Sequence, residues 1–384
     1  MRILHLSNVV GENKGGGLHE VVSNLYINQK ELQHEPHVWY PGHYKDANTF
    51  RQDDHVIALP TFGNLKYGLI KGIFNSIPEE IKRYDIIHQH GIWMPLSIYS
   101  RKIRKGNKLK TVIQPHGYLL KHSFNLSKYK KLLAFHLYER SNLQSAKVLV
   151  ACAMHEALTL KKMFPDQEVA IIPNGVSLEL FNAQRNLNNF SNDKKRILFL
   201  SQIIPVKGVE RVLKGLYSIG IDKFSNWEFI IAGYENVNYK EFLVKTINQL
   251  NLNSLVSFVG PKIEQDKIDI FDSANVFILP SFNENYGIVV AEALARGIPV
   301  ITTKGTPWEE LNTNNCGFWV NNSDEGIKFS LMKLLETSDN ELNEMGNRGK
   351  QLIERKYLWN KTTLKTIELY DWILNGGVRP DFFI

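Results

Sequence analysis

Short apolar runs alternate with longer segments of helical periodicity along the whole chain. In the first half the apolar runs are RILHLS, HVWY, HVIAL, DIIHQH, TVIQPH and VLVACA, and in the second half they are RILFLS, EFIIAG, VSFVG, VFILPS and PVITT. Runs of this length, rich in β-branched residues and separated by helices, are typical of parallel sheets covered on both faces. The pattern therefore predicts two doubly wound α/β domains.

The chain is long enough for more than one hydrophobic core. A single core rarely grows beyond about 250–300 residues, and this chain has 384. The sequence PNG at 173–175 has turn chemistry, and an Asn-rich polar stretch separates it from the next predicted strand. We therefore expect one domain over residues 1–172 and a second over 173–357. Residues 358–384 have helical periodicity without a following strand, which predicts a helix that packs on a domain already formed.

Positive charge is concentrated in one segment. The formal net charge is +7, and residues 101–131 alone hold ten Lys or Arg and no acid, which leaves +7 − 10 = −3 for the rest of the chain. Such a run is compatible with an ordinary solvated surface and with attraction to an anionic surface or ligand. Both interpretations stay open, and we expect no nucleic-acid partner.

The cysteine content and the first residues of the sequence indicate the cellular compartment of the protein. Cys152 and Cys316 have no neighbouring Cys or His at zinc-ligand spacing, so neither a disulfide framework nor a structural metal is predicted. The start MRILHLSNVV lacks the features of a signal peptide. No apolar run reaches the roughly 18 residues that a membrane span needs. We expect a soluble cytoplasmic protein.

Residues that follow strands are the first candidates for binding, because ligands of parallel α/β sheets collect beyond the carboxyl ends of the strands. After the first strand, three glycines at 15–17 precede a helix predicted to begin near Leu18. Their backbone amides could approach an anionic ligand at a helix start. The run fits neither a dinucleotide fingerprint nor a P-loop, and a flexible turn is the competing interpretation.

Three histidines and one lysine also follow predicted strands. His88, His90 and His116 stand at or just beyond strand ends, where packed or capping histidines are common. No carboxylate accompanies them at metal-ligand spacing, so a metal is the less favoured explanation. Lys207 and Gly208 begin a helix after the first strand of the second domain, where a cation can hold a phosphate. Lysines at helix starts are also common without a ligand.

The segment SFNENYGIVVAEALARGIPVITT, residues 281–303, is the most specific pattern. It places Glu284 at the end of a predicted buried strand and Glu292 a turn into a helix that starts near Gly287. The amides of residues 286–288 would form an anion site between them. Because a buried carboxylate without a partner is costly, the apolar surroundings favour a binding role. The competing interpretation is two partly exposed glutamates that serve as caps or ion-pair partners.

The E-x7-E pair within the frame PS...E.YG...AEALA.G.PVI resembles family 4 of the retaining glycosyltransferases of GT-B fold. The N-terminal glycines, the PHG of residues 115–117, the linker IPNGVSLELF, the Lys207-Gly208 pair and the C-terminal helix support the resemblance, which spans nearly the whole chain. It implies two Rossmann-like domains that face a central cleft, with segment 358–384 crossing back to the first domain.

The resemblance also implies roles for individual residues. Glu284 would bond hydroxyls of the donor sugar, and Glu292 would bond those of the ribose. Lys207 would bind the diphosphate, and His116 would lie beside the reacting centre. The candidate catalytic residues are His116 and Glu284. The candidate donor-binding residues are Gly16, Gly17, Gln202, Lys207, Asn285, Tyr286, Gly287, Ile288 and Glu292. The candidates on the acceptor side are His19, His90, Trp93 and Tyr118.

One position departs from the family pattern. The family usually has an arginine five residues before the lysine, and here that position is Gln202. The donor diphosphate would therefore have one cation fewer.

Together these features predict a hexosyltransferase-type enzyme that uses a nucleotide-diphosphate sugar and needs neither cofactor nor metal. The sequence has no Asp-x-Asp motif, so helix-start amides and Lys207 would carry the leaving-group charge. By resemblance, the acceptor would be a saccharide or a lipid-linked saccharide in the assembly of a bacterial surface polysaccharide (O-antigen, capsule or exopolysaccharide). Residues 101–135 would dock on an anionic membrane at its cytoplasmic face. A sugar-nucleotide epimerase, which would not require the E-x7-E frame, and a non-catalytic sugar-nucleotide-binding protein are the alternatives.

Overall fold

All eleven predicted apolar runs form strands. The computed structural model describes residues 1–7, 12–42, 53–62, 69–71, 78–107, 109–184 and 194–384, and only the backbone of residues 12–16, 62 and 69. Its strands are β1 (Arg2–Ser7), β2 (Glu35–Pro41), β3 (Val56–Leu59), β4 (Thr61–Phe62), β5 (Leu69–Ile70), β6 (Ile86–His90), β7 (Lys110–Gln114), β8 (Val148–Ala151), β9 (Glu168–Ile171), β10 (Lys195–Leu200), β11 (Trp227–Ala232), β12 (Val256–Gly260), β13 (Val276–Leu279), β14 (Val300–Thr303) and β15 (Gly317–Val320).

Helices connect most of these strands. They are α1 (Glu12–Glu31), α2 (Pro95–Asn107), α3 (Lys121–Asn125), α4 (Lys128–Ala134), α5 (Arg140–Gln144), α6 (Met154–Met163), α7 (Leu178–Asn182), α8 (Val209–Ile219), α9 (Val237–Gln249), α10 (Glu264–Asp272), α11 (Ile288–Ala295), α12 (Glu310–Thr313), α13 (Asp324–Glu336), α14 (Asp339–Lys356) and α15 (Trp359–Asn375). A π-helical turn, Phe135–Glu139, joins α4 to α5. No helix in the described part of the chain is long and apolar enough to cross a membrane.

The chain divides into two compact units. Unit 1 comprises Met1–Gly175 together with Trp359–Ile384, and unit 2 comprises Val176–Leu358. The sequence analysis placed the boundaries after residues 172 and 357, and helix α15 lies in unit 1.

Unit 1 is built on a parallel sheet with the strand order β3-β2-β1-β6-β7-β8-β9. Successive residues of β1 enter different cores, because side chains alternate across a strand. Ile3 packs in a cluster with Leu369 of α15, whereas Leu4 packs in a cluster with Leu96 of α2. Both faces of the sheet are therefore covered, as the apolar runs predicted. Residues after α15 continue to the sheet edge, where Phe383 forms an antiparallel bridge to β9.

Unit 2 has a second parallel sheet, with the strand order β12-β11-β10-β13-β14-β15. Its central strands contribute fully buried Phe199, Phe229 and Phe277. The carboxyl end of β10 leads towards α8, and the carboxyl end of β13 leads to the loop before α11. Both sheets have the parallel, doubly wound topology that the sequence predicts.

The predicted start of the first helix is wrong. Helix α1 begins at Glu12, so the three glycines lie inside its first two turns rather than in a loop before Leu18. Glycine costs roughly 1 kcal/mol relative to alanine inside a helix, but Val22 further along α1 is buried against β2 and anchors the helix. Only the first few amides of a helix lack intrahelical acceptors. The amides of Gly16 and Gly17 therefore lie in the hydrogen-bonded part of α1, where they are not available to an anion.

Candidate functional site

The loop between β13 and α11 carries the first predicted carboxylate. Its last residue, Gly287, has a φ of 77° and caps α11, which begins at Ile288. A side chain at Gly287 would be strained by this left-handed backbone, and its Cβ would lie 3.2 Å from Cγ of Glu284. The amide of Glu284 donates to the carbonyl oxygen of Gly305 at 2.8 Å, which fixes the loop to the segment after β14. The carboxylate of Glu284 is thereby held beside the start of α11.

Lys207 pairs with this carboxylate. Its Nζ donates to Oε2 of Glu284, and the two side chains are only 15% and 17% exposed. The hydroxyl of Ser281 lies 3.5 Å from the same carboxylate oxygen. Lys207 ends a short 3-10 turn that directly precedes α8. The structure therefore brings the predicted phosphate cation and the predicted sugar-binding carboxylate together.

Glu292 is the second predicted carboxylate, and it is buried inside unit 2. The side chain is 2% exposed, and its Oε1 forms an ion pair with Lys267 of α10. Its other carboxylate oxygen, Oε2, is buried and has no hydrogen-bond partner among the described residues. A buried carboxylate oxygen without a donor is costly. One carboxylate oxygen of Glu292 is thus paired within the protein, and the other is left to accept a hydrogen bond from a group outside the protein.

The other predicted donor-side residues differ in exposure. Tyr286 is 5% exposed, and its carbonyl oxygen accepts a hydrogen bond from Nε1 of Trp308 at 2.6 Å. Asn285 and Ile288 are partly exposed, and Gln202 is exposed. The backbone of Tyr286 is therefore fixed from inside the unit, next to the helix start.

Arg211 is a second cation close to Lys207 in sequence, but it does not replace the absent arginine. Its guanidinium is 1% exposed and bonds the carbonyl oxygen of Pro280 at 3.2 Å, Asn322 at 2.8 Å and Asp324 at 3.2 Å. It also lies 4.4 Å from the ring centre of Phe282. Arg211 holds the β13–α11 loop in place from within unit 2 instead of presenting charge to solvent.

In unit 1, the predicted histidines form a connected group at the carboxyl ends of β1, β6 and β7. His116 Nε2 lies 3.3 Å from His90 Nδ1, and His90 Nε2 lies 2.9 Å from His5 Nδ1. His88 Nδ1 shares a hydrogen bond with the hydroxyl of Tyr370 at 2.6 Å. Burial lowers the pKa of His116 to about 3 and that of His5 to about 4, so these rings are neutral near pH 7.

His90 was predicted to lie on the acceptor side, and the structure corrects this placement. The side chain is fully buried, and both of its ring nitrogens bond other histidines. His116, two residues beyond β7, is partly exposed. His90 therefore lies behind His116 and is not in contact with solvent.

The ring nitrogens of His5, His88 and His90 lie within 4.8 Å of one another, which raises the question of a metal site. Two imidazole nitrogens on one tetrahedral zinc, each about 2.0–2.1 Å from the ion, are roughly 3.3–3.4 Å apart. Here His5 Nδ1 and His90 Nε2 are 2.9 Å apart and share one proton, while the ring centres of His88 and His90 are 4.0 Å apart with the ring planes tilted by 32°. This arrangement suits hydrogen bonding between rings better than convergence of three lone pairs.

Two buried glutamates that the sequence analysis missed hold the loops around His116. Oε1 and Oε2 of Glu156 accept the backbone amides of Gly117 and Cys152, and Glu156 is 1% exposed. Glu139, fully buried, accepts the amide of Trp93 at 2.9 Å. Desolvation raises the pKa of Glu139. No motif marks either glutamate, since the amide of Gly117 is 39 residues from Glu156 and that of Trp93 is 46 residues from Glu139.

These loops have an unusual backbone. His116 has a φ of 55° and Trp93 a φ of 74°, both in the left-handed region that non-glycine residues seldom adopt. Nε1 of Trp93 donates to the carbonyl oxygen of Tyr118 at 3.3 Å, so these two acceptor-side candidates are adjacent. His19, on α1, is partly exposed and near Ser23. Strained conformations of this kind persist where the surroundings enforce them, and they cluster at functional sites.

Two family models match consecutive parts of the chain. The model described as Glycosyltransferase Family 4 matches residues 15–180, and the one described as Glycosyl transferases group 1 matches residues 181–352. An uncharacterized glycosyltransferase of Methanocaldococcus jannaschii is 26% identical over 310 residues, which is 76% of each chain.

A capsular polysaccharide biosynthesis glycosyltransferase of Staphylococcus aureus is 27% identical over 196 residues, 48% of this chain and 49% of that one. Among solved structures, an Anabaena protein, HepE, in complex with UDP and glucose superposes with a TM-score of 0.76. It is 14% identical, and the match covers 96% of this chain and 99% of that one. This structural likeness supports the GT-B fold.

Proposed function

From the premise that the chain belongs to the group 1, family 4 glycosyltransferases, we propose that it transfers a hexose from a nucleotide-diphosphate sugar to a saccharide or lipid-linked saccharide, with retention of anomeric configuration. The observation that carries the proposal is the pair of carboxylates on either side of the start of α11. Glu284 pairs with Lys207, and Glu292 has one unsatisfied buried oxygen. Each is placed to receive a different part of the donor.

The donor would engage these groups in order along α11. Ribose hydroxyls are hydrogen-bond donors and would satisfy Oε2 of Glu292. The diphosphate would lie at the amides of the helix start, where negative charge is favoured. There it would compete with Glu284 for the ammonium group of Lys207. Glu284 would then be free to accept hydrogen bonds from hydroxyls of the sugar.

The chemical step would be a same-face substitution at the anomeric carbon. The bond from the acceptor oxygen to the anomeric carbon forms while the bond from that carbon to the phosphate oxygen breaks. The proton of the acceptor hydroxyl passes to the departing phosphate oxygen. Lys207 and the helix-start amides would stabilise the charge that develops on the diphosphate. We propose that this reaction needs no metal, because these groups supply the charge and the chain has no Asp-x-Asp motif.

The acceptor would be presented at a membrane surface. From the end of α3 into the π-helical turn, five large apolar side chains are 41–85% exposed: Leu126, Tyr129, Leu132, Leu133 and Leu137. Lys128 and Lys130 are exposed among them. An apolar patch within a basic segment is typical of helices that lie in the interface of an anionic bilayer. We propose that residues 101–135 dock the enzyme beside a lipid-linked acceptor.

The proposed setting is the assembly of a bacterial surface polysaccharide in the cytoplasm. The capsular polysaccharide glycosyltransferase of Staphylococcus aureus is one of the relatives. Cys152 and Cys316 are buried and form no disulfide in the described part of the chain, which is compatible with a reducing compartment.

Turnover of sugar nucleotides with and without a lipid-linked saccharide extract tests the function. Transfer requires the acceptor, whereas an epimerase would interconvert donors without it and a binding protein would do neither. Proton NMR of the product gives the anomeric configuration, and an inverted product would refute retention. Glu284→Gln should abolish most of the transfer, and the matched control is Glu336→Gln, an exposed glutamate paired with Lys333.

A further inference from the structure

The peptide group between Tyr286 and Gly287 lies directly before α11. Its carbonyl oxygen accepts a hydrogen bond from the indole N–H of Trp308 at 2.6 Å. Trp308 is 2% exposed, so this bond lies inside unit 2. The carbonyl and the N–H of a trans peptide group point in opposite directions, and none of the described peptide bonds is cis. The N–H of Gly287 therefore points away from Trp308.

The amide of Gly287 has no acceptor within the protein. Gly287 is buried, and its N–H donates to no residue that the structure describes. The amides of Phe282 and Glu284, earlier in the same loop, bond carbonyl oxygens elsewhere in unit 2 at 2.9 and 2.8 Å. A buried N–H without an acceptor is costly, and a helix start favours negative charge. The Gly287 amide therefore indicates an anionic ligand that accepts a hydrogen bond.

Trp308 is itself held in place by packing. Its ring centre lies 5.3 Å from that of Tyr286 and 5.4 Å from that of Tyr357. The hydroxyl of Tyr357 donates to a carboxylate oxygen of Glu310. Glu310 begins α12, and Tyr357 directly follows α14. Because side chains in a close-packed core keep one rotamer, the indole can hold the Tyr286 carbonyl in a single orientation.

We propose that Trp308 is a positioning residue for the donor diphosphate. Its indole N–H holds the peptide group 286–287 so that the N–H of Gly287 donates to a phosphate oxygen. The inference rests on the proposed function and adds to the site a residue that lies outside the E-x7-E frame. Without the indole N–H, the Tyr286 carbonyl loses its donor, and the peptide group can rotate away from the phosphate. The competing interpretation is that this bond only satisfies a buried indole.

NMR can observe this peptide group directly. Protein labelled with ¹³C at the tyrosine carbonyl and with ¹⁵N in glycine gives an HNCO signal only where glycine follows tyrosine. The sequence has two such pairs, Tyr67-Gly68 and Tyr286-Gly287, and Tyr67→Phe assigns them. The probe is inorganic pyrophosphate, which has the charge of the donor diphosphate without a base or a sugar. Trp308→Phe removes the indole N–H, and benzothienylalanine at position 308 removes it at nearly constant shape.

Trp319→Phe is the matched control. Trp319 lies in β15 of the same unit, and its indole N–H donates to the carbonyl oxygen of Thr306 at 2.9 Å, outside the loop before α11. Each change therefore takes one indole donor from one backbone carbonyl oxygen. A general loss of packing would weaken pyrophosphate binding in both variants, whereas a positioning role affects only the change at Trp308. Calorimetry gives the Tm of each variant and shows that it is folded at the assay temperature.

In wild-type protein and in Trp319→Phe, pyrophosphate should shift the N–H signal of Gly287, and titration of this shift gives Kd. Both changes at Trp308 should move the carbonyl signal of Tyr286 before pyrophosphate is added. They should also raise Kd at least about tenfold, the size of a hydrogen bond to a charged group. Equal Kd values in the wild type and the Trp308 variants would overturn the proposal, as would an unmoved carbonyl signal.

Sugar transfer separates this inference from the proposed function. Trp308→Phe should raise the KM for the donor and lower kcat, because the same amide would stabilise the departing diphosphate, and it should leave the KM for the acceptor unchanged. A wild type that binds pyrophosphate at Gly287 but transfers no sugar would refute the proposed function and keep the role of Trp308 in phosphate binding. A wild type that transfers sugar without any response of Gly287 to pyrophosphate would refute the inference alone.

Discussion

Replacing Lys267 by methionine should destabilise unit 2 far more than the loss of an ordinary ion pair. The partner, Glu292, is 2% exposed, whereas Lys267 is 25% exposed. Removing the lysine leaves a buried carboxylate with no compensating charge, which typically costs about 3–5 kcal/mol. Glu292→Gln leaves a lysine that water can reach, so its cost should be about 1 kcal/mol. The double variant should resemble Glu292→Gln, which implies a coupling free energy of about 3–5 kcal/mol between the two side chains.

Differential scanning calorimetry can follow the unfolding transition of unit 2 in this mutant cycle. For a unit of this size each kcal/mol lowers Tm by about 2–4 °C, so Lys267→Met should lower it by about 6–20 °C. The control is Lys333→Met, which removes an exposed ion pair to Glu336 and should cost less than about 1 kcal/mol. Equal, small losses in Lys267→Met and Lys333→Met would refute the reasoning, because they would mean that Glu292 does not depend on Lys267 for its charge.

Four further predictions concern other parts of the molecule. Glu284→Gln should reduce turnover much more than nucleotide affinity, since the carboxylate is expected to contact the sugar; a larger loss in nucleoside diphosphate affinity by calorimetric titration would contradict this. Lys207→Ala should nearly abolish nucleoside diphosphate binding, and Gln202→Arg should raise the affinity by an amount that shrinks at high salt. Calorimetric titration at two salt concentrations measures both affinities. Unchanged affinity in Lys207→Ala would refute the phosphate-binding role of Lys207. Leu133→Ser should lower co-sedimentation with anionic liposomes at least roughly tenfold, and equal binding would exclude the exposed leucine from the membrane contact. His5 alone should cost unit 1 about 3 kcal/mol of stability as the pH falls from 6.5 to 4, because its folded pKa is about 4 against 6.5 in the unfolded chain, so its contribution is complete above 6.5 and declines below it. Calorimetry at pH 7 and 5 checks this, and earlier loss of unit 2 would contradict it.

Apolar runs were enough to predict the central strands and the edge strands β3 and β12, but not the edge strands β9 and β15. Strands β9 and β15 are only four residues each and lie at the edges of their sheets. Their sequences, EVAI and GFWV, are short and partly exposed, so they lack the continuous apolar character of a central strand. The start of α1 was predicted wrongly because the local sequence pointed to a loop where the structure has a helix. Glycine favours loops in general, whereas packing further along this helix outweighs that preference.

Residues of the site were predictable where a local motif carries them. Glu284, Glu292 and Lys207 stand in such motifs, and the structure brings Glu284 and Lys207 into contact. Lys267 was not predictable, because its partner lies 25 residues away and the pairing depends on how α10 packs beside α11. The same holds for Glu156, whose role is visible only once its carboxylate reaches the amide of Gly117. Partners that lie this far apart in sequence can be identified only from the three-dimensional structure.

The discontinuity of unit 1 has a consequence for synthesis of the protein. Its apolar cluster needs Leu369, Ile373 and Phe383 as well as Ile3 and Ile86. The ribosome makes the 183 residues of unit 2, from 176 to 358, between these two contributions (358 − 176 + 1).

At about 5–20 residues per second, that interval lasts roughly 10–40 s. During this time the first 175 residues lack α15, and the sheet face that it covers stays open to water. Unit 2 is continuous in sequence, so its core needs no residue made after 358, whereas unit 1 needs residues 359–384. The part of the chain that is synthesised first is thus the part that finishes folding last, and until then its exposed apolar face is a binding site for chaperones and a risk for aggregation.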